Sequence, residues 1–474
     1  TSAPHSAKNT SNGEGARIAA AMLGTRAAHA SRRRGARRKA IGGPWARRRR
    51  SRAPLHRPRR GVRFLRQRTV RRGSRHPREP WSAFAPCRRA PRWRRSALRH
   101  TVRAVNASEW IVDRAATPDG MAAGTRLAAV DGRIVAVDRV APSSSAVRLR
   151  GTLLPGFVDL QVNGAGGRSC DEATPDALDT VARAVWDGGA VAFLPTLITA
   201  PWETLLQQVT AVAAWIRSWN GKGAEPLGLH LEGPFLQSPG AHDARCFVDP
   251  TRERIEQLLT AAGGTLRLVT LAHSRAGAPA ATAQLREAGV AVALGHCDQT
   301  AGFAACVDAG ARAVTHLFNV MGPMHHRDVG TAGFALDDER VLCPLIVDGV
   351  HVHPAMVRNA FRILGPGRTI LVSDAVAAAG MPDGGYQLSG IPVTAKDGVV
   401  RDAQGRLAGS ALTMALAARN FLRFVPTAGP WTLAHAAATN PAALVRADAY
   451  GALAVGKRAA FTLLADDGRF TAVR

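Results

Sequence analysis

From residue 151 onward, short continuous apolar runs alternate with amphipathic stretches, and the alternation repeats about eight times. The apolar runs are Gly156–Val162, Ala190–Leu197, Leu227–Leu231, Leu266–Ala272, Val290–Leu294, Ala313–Thr315, Leu342–Val347 and Thr369–Val372. Between them lie helical patterns such as Pro175–Trp186, Trp202–Trp219, Glu253–Ala261, Ala280–Glu287, Phe303–Asp308 and Pro354–Ile363, several of which end near Gly188, Gly263, Gly289 or Gly310. A strand without polar alternation is buried on both faces, which antiparallel hairpins rarely allow and a parallel sheet covered by helices requires. Eight such units over roughly 290 residues predict a closed (β/α)8 TIM-like barrel of α/β class.

The barrel is predicted over residues 153–447. Glu109–Val112, Arg126–Val130 and Arg133–Val137 read as β runs before it, and Gly451–Val473 as β-like after it. A small β domain assembled from both flanks, residues 105–152 and 448–474, is therefore expected. Gly384–Arg406 breaks the rhythm with Gly- and Asp-rich turns and reads as an inserted hairpin.

Residues 1–104 are of another kind. The chain carries 63 Lys and Arg against 35 Asp and Glu, yet residues 1–100 hold 30 of the former and only Glu14 and Glu79 of the latter. What remains is 33 basic and 33 acidic residues, an electrically balanced globular protein. The Arg-rich leader is expected to be a disordered extension, or sequence translated from upstream of the true start. An arm that binds nucleic acid and a transit peptide are the competing readings. Its lysines are only Lys8 and Lys39, which weakens the reading as an arm. Nucleic acid is otherwise not an expected partner. No run is long enough to span a bilayer, and six cysteines without a CxxC pair suit a reduced, cytoplasmic protein.

Ionisable residues fall at informative places. Glu232, His296, His316 and Asp374 each stand at the carboxyl end of a different predicted strand, and in a parallel barrel these ends meet on one face. Any one of them alone would more often cap a helix or bond the backbone. Together, a carboxylate and two imidazoles are the ligand set of a catalytic zinc-type ion that keeps a position open for water. Asp374 would then take the proton of that water and return it to a leaving group. The chemistry is metal-assisted hydrolysis of an amide or ester. Zn²⁺ suits such ligands best, with Fe²⁺, Co²⁺ or Mn²⁺ as alternatives.

The motifs that carry these residues occur in order: Leu154-Pro155-Gly156-Phe157-Val158-Asp159 running on to Gly164, Gly228-Leu229-His230-Leu231-Glu232-Gly233-Pro234, Leu294-Gly295-His296, Thr315-His316-Leu317-Phe318-Asn319, Asp348-Gly349-Val350-His351-Val352 and Val372-Ser373-Asp374-Ala375. From about residue 105 to 474 the sequence closely resembles the N-acetylglucosamine-6-phosphate deacetylase family of the amidohydrolase superfamily. The resemblance implies deacetylation of N-acetylglucosamine 6-phosphate to glucosamine 6-phosphate and acetate by a homodimer. It implies metal binding by Glu232, His296 and His316, with Asp374 as acid and base. It further implies substrate contacts from Ala241, His242, Asn319, Val320, His351, Ala408 and Gly409, and from Arg327 reaching across the dimer to the phosphate.

Many amidohydrolases bind two ions through a His-x-His on the first strand. Here Gln161 and Asn163 occupy those positions, and neutral amides bind a zinc-type ion poorly, so one metal per subunit is expected. Gln161, Asn163 and His230 are expected to support the site. His230 and His273 could equally be buried bonded histidines, and His325, His326 and His353 read as surface or packing residues. N-acetylgalactosamine 6-phosphate or another N-acyl compound is the alternative substrate. A pseudoenzyme is disfavoured because all four site residues are present.

Overall fold

A computed structural model describes residues 107–139 and 141–474; the Arg-rich leader and its alternative readings lie outside the described residues. Six parallel strands run in a continuous ladder: Phe157–Val162, Ala190–Ile198, Leu229–Glu232, Leu266–Leu271, Ala291–Leu294 and Ala313–Val314. Cys343–Ile346 and Thr369–Val372 form a further parallel pair. Single bridges join this pair to the ladder at both edges, Ala313 to Leu342 and Val162 to Ala375. Eight strands thus form a ring in sequence order, as the alternation predicts. Phe157–Val162 and Ala190–Ile198 are buried at every position, which is why they show no polar alternation.

Each strand is followed by a helix: Pro175–Asp187, Trp202–Arg217, Arg252–Ala262, Ala278–Glu287, Phe303–Ala309, Gly330–Asp337, Pro354–Arg368 and Met414–Phe424. Helix starts are fixed by side-chain caps, with Thr174, Thr251 and Thr413 accepting from the N–H groups of Ala177, Arg254 and Leu416. The helix ends depart slightly from expectation. Gly263 adopts the left-handed conformation at a C-terminus, whereas Gly188 does not, and its neighbour Gly189 takes the positive φ instead. Two helices escaped the periodicity. Gly330–Asp337 contains Gly330 and Gly333 and is largely apolar, while Met414–Phe424 lies beyond the inserted segment.

That insertion is a three-stranded antiparallel sheet, Gly384–Leu388, Ile391–Lys396 and Val399–Asp402, one strand more than a hairpin. Both flanks of the barrel do meet in one sheet of six strands. Its order runs from Phe470–Val473 and Phe461–Leu464 through Val147–Pro155 to Ala107–Thr117, Gly120–Val130 and Arg133–Asp138. The sheet is not a separate compact unit, however: it and the barrel cluster as one body among the described residues. Phe461 ties the ends together. It is fully buried, stacks edge-on against Trp110 at 5.2 Å, and shares a core with Leu127, Ile134 and Leu153. Phe461→Ala is expected to cost about 3–5 kcal/mol of unfolding free energy through the cavity it leaves, measured by urea titration.

Candidate metal centre

Glu232, His296, His316 and Asp374 all line one pocket at the carboxyl ends of the barrel strands. Glu232 is the last residue of its strand. His296, His316 and Asp374 follow theirs with φ of 48°, 21° and 51°, and Phe318 and Val320 stand at 79° and 55°. Such left-handed conformations cost non-glycine residues about 1–3 kcal/mol each and cluster at sites where geometry matters more than stability. Gly233 also has positive φ, and a Cβ there would come within 2.4 Å of Thr199 Oγ1. Glycine alone lets the chain turn that tightly behind Glu232.

Three ligand atoms converge. Glu232 Oε1 lies 3.2 Å from His296 Nε2 and 3.0 Å from His316 Nε2, and the two nitrogens are 3.1 Å apart. His296 Nδ1 faces the carbonyl oxygen of Ser238 at 3.0 Å, while the Ser238 N–H donates to the carbonyl of His296. A carbonyl only accepts, so Nδ1 carries the proton and Nε2 presents a lone pair. That lone pair meets a second imidazole nitrogen and a carboxylate oxygen, an arrangement that a cation between them relieves. Bonds of about 2.0–2.1 Å to one zinc-type ion would put tetrahedral ligand atoms roughly 3.4 Å apart. The donor set therefore fits a divalent ion.

Glu232, His242 and His296 also offer atoms within 4.8 Å of one another. His242 is the weaker ligand candidate on chemical grounds. Its Nδ1 accepts from the backbone N–H of Thr199 at 3.4 Å and lies 2.9 Å from the Thr199 hydroxyl. Nε2 then carries the proton and points it at Glu232 Oε2, 3.7 Å away. Burial would raise the Glu232 carboxyl, but the imidazoles of His242, His296 and His316 around it outweigh burial and hold it well below the usual carboxylate range. For His316, burial opposes protonation and the bond and charge of Glu232 outweigh it, raising the imidazole.

Asp374 Oδ1 accepts two amide N–H groups, from Asn163 Nδ2 at 2.9 Å and Gln161 Nε2 at 3.0 Å. Burial first, and the negative Glu232 second, push this carboxyl up to about 6. Behind it, buried Asp159 accepts from both the N–H and the hydroxyl of Ser373, fixing the turn that presents Asp374. Burial raises Asp159 to about 7.

Of the remaining expected residues, Asn163, Ala241, His242, Asn319, Val320, His351 and Gly409 line the pocket. His351 Nδ1 is held by Asp348 Oδ2 at 2.6 Å, while Asp348 Oδ1 caps the turn through the N–H groups of Val350 and His351. Ala408 is buried beneath the pocket beside Val376 and does not line it. Arg327 is exposed on the loop after Pro323, outside its own chain's pocket. His230 lies one layer below, with Nε2 2.9 Å from Thr270 Oγ1 and Nδ1 3.3 Å from Thr196 Oγ1; burial lowers it to about 4. It is a bonded core histidine. His273 bonds the carbonyl of Gln299, and His353 caps the helix from Pro354. The sequence did not point to Ile198, Ile346, Leu388 and Leu407, the apolar part of the lining. Leu388 comes from the inserted segment and Leu407 directly follows it, bridged back to Arg401, a placement at the pocket that no local pattern announces.

The amidohydrolase family model matches residues 152–473. The N-acetylgalactosamine-6-phosphate deacetylase of Escherichia coli O157:H7 is 37% identical over 355 residues, covering 74% of this chain and 93% of that protein. The N-acetylglucosamine-6-phosphate deacetylase of Vibrio furnissii is 36% identical over 320 residues, 66% of this chain and 79% of that protein. Among solved structures, a mutant N-acetyl-D-glucosamine-6-phosphate deacetylase from Mycobacterium smegmatis, in complex with N-acetyl-D-glucosamine-6-phosphate, is 36% identical with a TM-score of 0.74. That match covers 78% of this chain and 98% of the other. With the family model spanning the whole barrel and the pocket at its mouth, the chain belongs to the amidohydrolase family.

Proposed function

We propose that this protein is a metal-dependent deacetylase that hydrolyses N-acetylglucosamine 6-phosphate to glucosamine 6-phosphate and acetate. The observation that carries the reading is the convergence of Glu232 Oε1, His296 Nε2 and His316 Nε2 beside a buried, protonatable Asp374. Relatives of this name from Vibrio furnissii and other organisms supply the substrate. N-acetylgalactosamine 6-phosphate, in the name of the E. coli relative, is the second reading and the less favoured one, since the Vibrio, Bacillus and human relatives carry the N-acetylglucosamine-6-phosphate name. Acetate release from the two phosphosugars and their unphosphorylated forms decides between them. Equal turnover of the unphosphorylated sugars would remove the phosphate from the proposal.

Glu232, His296 and His316 would hold one divalent ion, for which Zn²⁺ is the preferred identity. Such an ion supplies a water that ionises near neutral pH and polarises the acetyl carbonyl. Asp374 removes a proton from the attacking water and delivers it to the departing sugar nitrogen, which needs a carboxyl able to exchange protons near neutral pH. His242 directs an N–H into the same space and orients the acetamido group. Asn319, the backbone at Val320, and His351 steadied by Asp348 hold the sugar and its phosphate. Ala241 and Gly409 complete the contact surface, with Ala408 supporting Gly409 from behind.

Arg327 is proposed to serve the phosphate of a partner subunit in a homodimer. Met324 and Val329, near it in sequence, and Phe334 on the following helix are exposed apolar side chains of the kind an interface would cover. A cytoplasmic location agrees with Cys170, Cys246, Cys297, Cys306 and Cys343 carrying no disulfide. Among the described residues no helix is long and apolar enough to cross a membrane.

Asp374→Asn is expected to keep its metal and lose about 10²–10⁴ in kcat, read by acetate release alongside metal analysis. His296→Ala and His316→Ala are each expected to lose the metal as well as activity. Arg327→Ala is expected to raise KM for the phosphorylated sugar about tenfold to hundredfold, the worth of a charge-assisted hydrogen bond. Its kcat is expected to change little, as steady-state kinetics will show.

A further inference from the structure

We infer that Gln161 and Asn163 act as an amide clamp that positions Asp374, each donating an N–H to the same oxygen, Oδ1. The distances are 3.0 Å from Gln161 Nε2 and 2.9 Å from Asn163 Nδ2. Two N–H groups at that range occupy both in-plane lone pairs of Oδ1. Oδ2 accepts no hydrogen bond from the described residues, and Asp374 lines the pocket, so Oδ2 is the oxygen left to serve the reacting atoms. The Gln161 amide is not free to turn. The Thr315 hydroxyl donates to Gln161 Oε1 at 3.0 Å and fixes which end of that amide faces Asp374. The main chain of Asn163 is anchored separately, its backbone N–H donating to the carbonyl of Ala375 at 2.7 Å, where the first strand meets the eighth at the Val162–Ala375 bridge.

A carboxylate able to rotate about its last torsion would spend part of its time with neither oxygen aimed at the substrate. The clamp removes that freedom at no cost in charge, because an amide donates without competing for the proton. A residue two positions before Asn163 on a strand points to the same side, so one short segment delivers both donors to one oxygen. The inference rests on the deacetylase reading.

The test is a double-mutant cycle with Gln161→Met and Asp374→Asn, following acetate release, KM and metal content per chain. For Gln161→Met alone, kcat is expected to fall about tenfold to hundredfold through lost orientation, with KM and metal content unchanged. In the Asp374→Asn background the same substitution is expected to change kcat no further, because the group it acts through is gone. Asn163→Ala carries the same cycle should Gln161→Met fail to fold. An unchanged kcat in the single variant overturns the clamp, as does an equal further loss on top of Asp374→Asn. Failure of the functional reading shows elsewhere, in a wild-type protein that releases no acetate from either phosphosugar.

Discussion

Two imidazole nitrogens and a carboxylate oxygen stand within 3.2 Å of one another, a crowding of acceptor atoms that a positive charge, a proton on His316 or a cation, has to bridge. The His296 tautomer is fixed by Ser238 so that its Nε2 offers a lone pair to two other electron-rich atoms. Everything else at the barrel mouth serves to hold that convergence. The left-handed backbone at His296, His316 and Asp374 costs stability to bring these atoms together, and the close turn at Gly233 and the reciprocal bonds between His296 and Ser238 hold them there. A divalent cation would bridge the three atoms, and the strain would then be the cost of a preformed site.

The barrel makes this possible because its parallel strands all end on one side. Glu232, His296, His316 and Asp374 are scattered over more than a hundred residues of chain, and their only common property is position after a strand. The seam between the first and eighth strands completes the site. There Asp159 holds Ser373, Gln161 and Asn163 hold Asp374, and the bridge from Val162 to Ala375 closes the ring. Closure of the fold and orientation of the proposed acid/base are thus one set of contacts.

The sequence was informative where a single physical rule governs the outcome. Uninterrupted burial announced the parallel strands, and strand-end position singled out the four polar residues even where the strand itself is as short as Ala313–Val314. Gln161 and Asn163 were expected to support rather than bind a metal, and their bonds to Asp374 give that support a form. Legibility failed where long-range folding decides. The partner of Asp159 is Ser373, on the far side of the chain, and no local signal pairs them. His230 shares a strand face with Glu232, yet Thr196 and Thr270 from the neighbouring strands claim its ring one layer down. Leu388 of the inserted sheet and Leu407 just after it reach the pocket through long-range folding, Leu407 being bridged back to Arg401 of that sheet. The helix at Gly330–Asp337 went unread because its glycines mask a turn structure that packing supplies.

The central claim is that one cation resolves the crowding of Glu232, His296 and His316. Anomalous diffraction at the metal absorption edge from crystals of the purified protein addresses it directly. The account predicts a single peak within bonding distance of Glu232 Oε1, His296 Nε2 and His316 Nε2, and none against the amides of Gln161 and Asn163. A second peak at those amides, or no peak among the three ligands in a protein that turns over substrate, would contradict it.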